Sequence, residues 1–325
     1  MHMSRPLIRH GKTTPALMIL FLPLLTLLLT TTAWGECILL QSSPLKPYEE
    51  ARQGFEQAWT AKQPLAGPKS ITIGTLTHLL LSEQPEGTMS SLKKQLQNAR
   101  LVVVIGDPAL NFVHDLQQTP VLYLLSPSAE KLPANFTGID IRILPSRQLE
   151  AMSRLMPKVH RIGALYNPAQ SGHWVQEALT NQVSSMETLL FKKVATPSLV
   201  PEALKNLGNN TIDAYWLLPD ELVTNPQAME QLREFSIANH IPIVSFSDKY
   251  LKAGAAAAIT FDMTDMGKQA ADMATRILAG EKPSEVPVET PRRQRVIVNT
   301  TVFRRMGVEI NEKAVDEIYS GETQP

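Results

Sequence analysis

One cysteine in 325 residues excludes an internal disulfide framework and any zinc cage built on several thiolates. Charge of one sign is also missing. The 31 basic and 31 acidic side chains cancel, so there is no broad basic face of the kind a non-specific nucleic-acid binder needs. Charged residues at 19% and hydrophobic residues at 43% exclude both a disordered chain and a multi-span membrane protein. Catalytic signatures are absent too: no Walker-type loop, no G-x-G-x-x-G after the first strand candidate, no G-x-S-x-G elbow and no H-E-x-x-H. His78, His114, His160, His173 and His240 never fall three or four residues apart, so no helix offers a two-histidine metal face. An enzyme could still assemble its site from scattered residues.

What is present begins with a charge asymmetry. Residues 1–35 contain Arg5, Arg9 and Lys12 and no acid. Pro15 to Thr30 is almost wholly apolar, and Ala33-Trp34-Gly35 places small residues at the −3 and −1 positions of a cleavage site. A basic start, a short apolar run and a small-x-small exit predict a secretory signal peptide over 1–35. Pro23 interrupts the run, which is short for a spanning helix; an uncleaved anchor is the alternative. Glu36 precedes Cys37, where a lipid-attachment box has a small residue. The chain beyond residue 35 holds three more acids than bases.

After that segment, short apolar runs alternate with helical patterns. The runs are Ile38–Leu40, Ile71–Leu76, Leu101–Ile105, Val121–Leu125, Ile162–Tyr166, Leu189–Val194, Ala214–Leu218, Ile241–Phe246, Ala255–Phe261 and Val296–Val298. Several are continuous and rich in Val and Ile, as strands buried on both faces of a parallel sheet are. Tyr48–Trp59 places Ala51, Phe55, Ala58 and Trp59 on one helical face. Leu149, Met152, Leu155 and Met156 form a second stripe. A third, Met266, Ala270, Met273, Ile277 and Leu278, starts after Thr264 and stops at Gly280. This repetition predicts a doubly wound α/β architecture. Four strands before Gly138 would fill one sheet and the four from Arg161 to Phe246 a second, joined at Gly138–Pro145. Ligands in such sheets bind beyond the carboxyl ends of the strands, so the residues after each strand are the candidates.

The order of several segments resembles a family of type I substrate-binding proteins of ABC importers that includes tryptophan- and tyrosine-binding members. The resemblance is dense from Arg161-Ile-Gly-Ala-Leu-Tyr-Asn-Pro168 through Ile241-Pro-Ile-Val-Ser-Phe-Ser-Asp248, Gly254, Phe261-Asp262 and Arg276–Pro291 to Val296-Ile-Val-Asn299 and Met306-Gly-Val308. It continues more thinly in Pro47–Phe55, Val104-Ile-Gly-Asp-Pro-Ala109 and Phe136-Thr-Gly-Ile139. It implies two doubly wound parallel-sheet lobes joined by a three-segment hinge, with crossings near Asp140–Ile143, Ala258–Asp262 and Glu289–Ile297. The first lobe would then comprise 36–142 and 262–288, with a helix from Asp265 to Ala279 returning to it. The second would comprise 143–261 and 289–325. The resemblance also implies a periplasmic monomer that takes a small-molecule ligand and meets an ABC permease in the inner membrane, with no cofactor, no metal and no nucleic acid.

Each candidate contact has two readings. Ser42 and Ser43 follow the first strand, where hydroxyls either cap a helix or bind a ligand. Asp107 stands where the resembled family commonly has a hydroxyl; it favours an amine ligand or caps the next helix. Ser126 follows the fourth strand. Asn167, Gln170, Ser171 and Trp174 follow the first strand of the second lobe, and Trp174 either stacks on a ligand or lies under the loop. Asp220, Asp248 and Asp262 match acids of the family pattern, whereas lone loop acids usually serve turns. Gly172, His173, Glu221 and Leu222 depart from that pattern at contact positions. A pocket missing a polar partner loses affinity for the group it served, so the ligand is expected to differ from a standard aromatic amino acid or to be held differently. Capture of a small, amino-acid-like ligand for an ABC importer is the expected function. The alternatives are a ligand sensor for a membrane receptor and a secreted enzyme using a carboxylate pair such as Asp220 and Asp248.

Overall fold

The computed structural model describes residue 2 and residues 36–62, 74–126, 132–142, 144–180, 188–209 and 212–321. Apart from residue 2, the expected signal segment lies outside the described residues, as does Ile143. In chain order the first elements are β1 (Cys37–Gln41), α1 (Lys46–Ala61), β2 (Leu76–Leu80), α2 (Met89–Gln97), β3 (Leu101–Ile105), α3 (Asp107–Val113), β4 (Val121–Leu124) and β5 (Phe136–Gly138). Then come α4 (Pro145–Leu155), β6 (Arg161–Tyr166), α5 (Pro168–Thr180), β7 (Thr188–Lys193), α6 (Val200–Asn209), β8 (Ala214–Trp216), α7 (Glu221–Thr224), α8 (Pro226–Asn239) and β9 (Ile243–Ser245). The last are β10 (Ala257–Phe261), α9 (Met263–Leu278), β11 (Gln294–Val298), α10 (Thr300–Met306) and β12 (Glu317–Ile318). Among the described residues no helix is long and apolar enough to cross a membrane.

Two sheets result, and each forms one lobe. The first is parallel, in the order β2-β1-β3-β4-β5. Its strands alternate between two apolar cores. Cys37, Leu39, Val103 and Leu122 face α1 and α9, while Ile38, Leu40, Val102 and Val104 face α2 and α3. The second sheet runs β12-β11-β10-β9-β8-β6-β7, with β10 and β11 antiparallel and the other pairs parallel. Helices α4, α5 and α10 cover one face and α6, α7 and α8 the other. The expected doubly wound, two-lobed α/β fold is what the chain forms.

Strand counts differ from expectation. The first sheet gains β5, and the second, expected to hold four strands, also takes in β10, β11 and β12; β5 and β12 are too short to register as apolar runs. The expected strand at Ile71–Leu76 is placed later, at Leu76–Leu80, with residues 71–73 outside the described set. Gly74 adopts φ 84° just before it, and the half-buried residues of β2 pair only with β1 at the sheet edge. The antiparallel β10–β11 pair was also not expected. It arises because the chain leaves the second lobe after β10, builds α9 on the first, and re-enters in the opposite direction.

Three segments cross between the sheets and lie side by side. Ile139 on the first bridges Glu289 on the third, with the Asp140 and Glu289 amides donating to Glu289 and Gly138 carbonyls at 2.8 and 3.0 Å. On the other flank, the Asp262 amide of the second crossing donates to the Arg293 carbonyl at 3.1 Å. The third crossing is also pinned to α9. Buried Gln269 donates to the Thr290 carbonyl (3.0 Å) and accepts from the Arg292 amide (3.1 Å). Arg292 forks onto Asp265 and reaches Asp272, all near 3 Å.

Helix α9 belongs to the first lobe because it lies directly on α1. A Cβ on Gly267 would sit 1.9 Å from the Ala51 carbonyl oxygen, and one on Gly54 would sit 2.0 Å from that of Thr264. Reciprocal glycines thus bring the two backbones together. Gly267→Ala and Gly54→Ala are each expected to destabilise the protein by roughly 1–3 kcal/mol, seen as a lower urea midpoint. Gly172, on α5, meets nothing closer than 3.9 Å, and Gly172→Ala should instead add about 0.5–1 kcal/mol. Cys37, fully buried in β1, has its thiol pushed up to about 12 by burial, against an opposing contribution from Arg100. It should resist thiol reagents at pH 8 in the native protein and react only on unfolding.

Candidate functional site

In the first lobe the ends of β1, β3 and β4 converge on Gly106. This residue adopts φ +92°, and a Cβ there would meet the Tyr48 hydroxyl at 2.7 Å and Ser42 Oγ at 2.8 Å. Glycine is therefore required on two counts, conformation and space. Ser42 is buried and serves the framework: Oγ donates to the Ile105 carbonyl (2.8 Å) and accepts from the Ala109 amide (3.0 Å). Asp107, half-buried in the first turn of α3, accepts a hydrogen bond from the buried Ser126 hydroxyl. Tyr48 faces the same place; its phenol is pushed up by burial and by the Asp107 carboxylate. Ser43, half-buried, offers its carbonyl to Gln41 Nε2 at 2.8 Å. Gln41 also donates to Glu49 Oε1 at 2.7 Å, and this bond, followed by Arg52, holds the Glu49 carboxyl below its usual range.

In the second lobe Asp220 is the hub. It is 1% exposed and accepts from the Asn167 amide (2.6 Å), the Ser171 hydroxyl (2.5 Å) and the Leu222 amide (3.0 Å). Asn167 caps α5 through the Ala169 amide at 2.9 Å. Gln170 reaches across to accept from the Glu221 amide at 2.8 Å. So Asn167, Gln170, Ser171 and Asp220 form one network tying the β6–α5 turn to the start of α7. Trp174 lies one turn further along α5, half-buried and edge-on to His173 with ring centroids 5.5 Å apart.

The remaining two acids lie beside the hinge. Asp262 caps α9 through the Asp265 amide (2.9 Å) and pairs with Arg293 at 3.4 Å. Exposed Asp248 lines a small cavity between the lobes with Lys46, Pro47 and Glu50 of α1 and Arg295 and Glu317 of the second lobe. Arg295 spans the lobes, reaching Glu50 at 3.4 Å, and also pairs with Glu317. Tyr48, Glu50 and Arg295 were not singled out from sequence. Tyr48 lies seven residues past the end of β1, inside a helix, where no rule about strand ends points. Among the described residues no group of three or more His, Cys, Asp or Glu side chains could hold a metal ion.

A model of the ABC transporter substrate binding protein family matches residues 88–319, most of the chain. The chain belongs to this family. Its members are substrate-binding proteins and not enzymes. A tyrosine-binding protein of Clostridioides difficile is 24% identical over 192 residues, 58% of this chain and 55% of that protein, so the match spans about half the relative's length. Among solved structures, a ligand-free, open substrate-binding protein with adhesive properties from Clostridium difficile superposes with a TM-score of 0.70 at 21% identity, covering 88% of this chain and all of that one. An ABC domain from Streptococcus pneumoniae in complex with L-Trp gives 0.52 at 20% identity, with 88% and 99% covered. In this substrate-binding protein, Asp220→Ala leaves one hydroxyl and two amides without their acceptor. It should lower unfolding stability by roughly 2–4 kcal/mol in denaturant titration, whatever its effect on ligand.

Proposed function

We propose that this protein is the extracytoplasmic solute-binding component of an ABC importer. It captures a small organic ligand, amino-acid-like or related, by closing its two lobes. The observation that carries the reading is the hinge. All three crossings lie side by side as extended backbone, hydrogen-bonded to one another, while each lobe keeps its own cores. Such an arrangement can bend by small dihedral changes without opening either core, and ligand touching both lobes shifts the equilibrium toward closure. Polar strand-end residues on both sheets supply the facing walls of the cleft. The relatives named for tyrosine and L-Trp support an amino-acid-sized ligand. Residues 1–35, basic and then apolar, are the export segment in this reading, and the partner is a membrane permease. The working surface is the cleft, so the protein acts as a monomer.

A thermal-shift screen of amino acids, amines, nucleosides, purines and small organic acids tests this. A ligand that binds only the folded state raises the melting temperature. That ligand should also reduce the radius of gyration in solution scattering. A bound ligand that leaves the radius unchanged at saturation would count against hinge closure.

A further inference from the structure

A cavity of about 510 Å³ is lined by the second lobe and the third crossing, with no residue of the first lobe in its wall. It shares no wall residue with the small cavity at Asp248. Its walls come from α4, residues 292–294, β11 and the segment 311–316. Apart from Val296 and Ala314, every wall residue is polar or charged. Five are cations: Arg147, Arg154, Arg292, Arg293 and Lys313. Two are carboxylates, Glu150 and Asp316.

The bonds these cations already make decide which of them can serve a ligand. Arg292 is spent on Asp265 and Asp272 of α9, outside the wall. Arg154 pairs with Glu150 at 3.2 Å, with both side chains more than half exposed. Arg293, 61% exposed, reaches Asp262 and Asp316 at 3.4 Å each, and such exposed pairs contribute little. Asp316 is in turn fixed by the Val296 amide at 2.9 Å. Arg147 and Lys313 pair with no carboxylate among the described residues. Half-buried Arg147 is steadied by one bond, from Nη1 to the Pro291 carbonyl, and its other N–H groups meet no acceptor among the described residues. Lys313 is exposed; Glu312, beside it in sequence, is exposed and outside the wall.

This imbalance selects a chemistry. A ligand with an apolar body would find almost no apolar wall, so the occupant has to be mostly charged group. The open Nε–Nη2 edge of Arg147 offers two donors in the fork that matches one carboxylate or phosphate group, and Lys313 adds a point charge. The volume falls within the ~300–1,000 Å³ of small-molecule sites. Arg147, Arg293 and Lys313 stand on three separate segments, so an anion with more than one charged group can engage all three.

We propose that this cavity binds a small multivalent oxyanion, of the pyrophosphate or citrate kind, through Arg147, Arg293 and Lys313. The site is separate from the cleft and independent of what the cleft takes. Because Arg293 also holds Asp262 of the second crossing, the anion draws on a side chain of the hinge itself.

Calorimetry on the full chain with pyrophosphate, citrate and acetate, at constant ionic strength to hold screening fixed, tests it. Pyrophosphate or citrate should bind at a single site, at least about tenfold more tightly than acetate. Arg147→Gln should weaken that binding by about tenfold or more, and Lys313→Gln by about fivefold. Lys252→Gln, exposed and outside the wall, should leave it unchanged. The wild-type ranking and the exposed Lys313 variant remain readable even if Arg147→Gln fails to fold. Binding no tighter than acetate, or no binding, overturns the assignment. So do equal losses in Lys252→Gln and Lys313→Gln, which would show a general charge effect. Loss of binding in Lys46→Gln with Arg147→Gln unaffected would put the anion in the cleft and overturn it as well, leaving the cleft reading intact.

Discussion

The close approach of α1 and α9 organises the rest of the molecule. Two glycines let the helix backbones touch where any side chain would collide, at 1.9 and 2.0 Å from facing carbonyl oxygens. That contact draws residues 263–278 back onto the first sheet after the chain has already built most of the second. The lobe is then discontinuous in sequence, and a discontinuous lobe needs more than one crossing. Once α9 is seated, Gln269, Asp265 and Asp272 lie in position to hold the third crossing. A looser α1–α9 interface would move these groups and, with them, the hinge strand they fix. The packing of two helices thus sets the geometry of the hinge.

The three crossings are held mainly by one another. They bond to one another through backbone groups, which satisfies those polar atoms, while Ile139 and Phe261 pack on the core of the first lobe. Side chains of the third, central crossing add to this: Arg293 pairs with Asp262 of the second, and Arg292 holds the acids of α9. The Glu50–Arg295 pair is the contact between α1 and β11, with both side chains partly exposed. Partly exposed pairs contribute little to stability. It therefore ties the two lobes only weakly.

Much of this fold was legible in the sequence, for a specific reason. Strands buried on both faces read as unbroken apolar runs, and Leu101–Ile105 and Ile162–Tyr166 are of that kind. Strands β5 and β12 were not legible, because three and two residues carry no periodicity. Strand β2 was misplaced because an edge strand is half-buried and its pattern is diluted. The antiparallel entry of β11 depends on where α9 docks, and docking depends on glycines whose meaning appears only when a second helix is beside them. Position after a strand singled out Asn167, Ser171 and Asp220 as candidates, but not that they bond to one another. The partners of Asp220 at Asn167 and Ser171 lie 53 and 49 residues away, so their mutual bonds are set by tertiary structure. Tyr48 escaped because its placement over Gly106 depends on a left-handed turn in another segment.

That distinction between placed and spent polar groups bears on how the two lobes divide the work. In the second lobe the Asp220 network leaves Asn167 and Ser171 engaged with their own framework, and a group already bonded gains little by exchanging one partner for another. In the first lobe half-buried Asp107 is engaged as well, accepting from the Ser126 hydroxyl, and Tyr48 and Ser42 fill the space beside Gly106. On the proposed reading both lobes therefore present preorganised walls, and water leaving the cleft on closure strengthens the bonds a ligand makes to either.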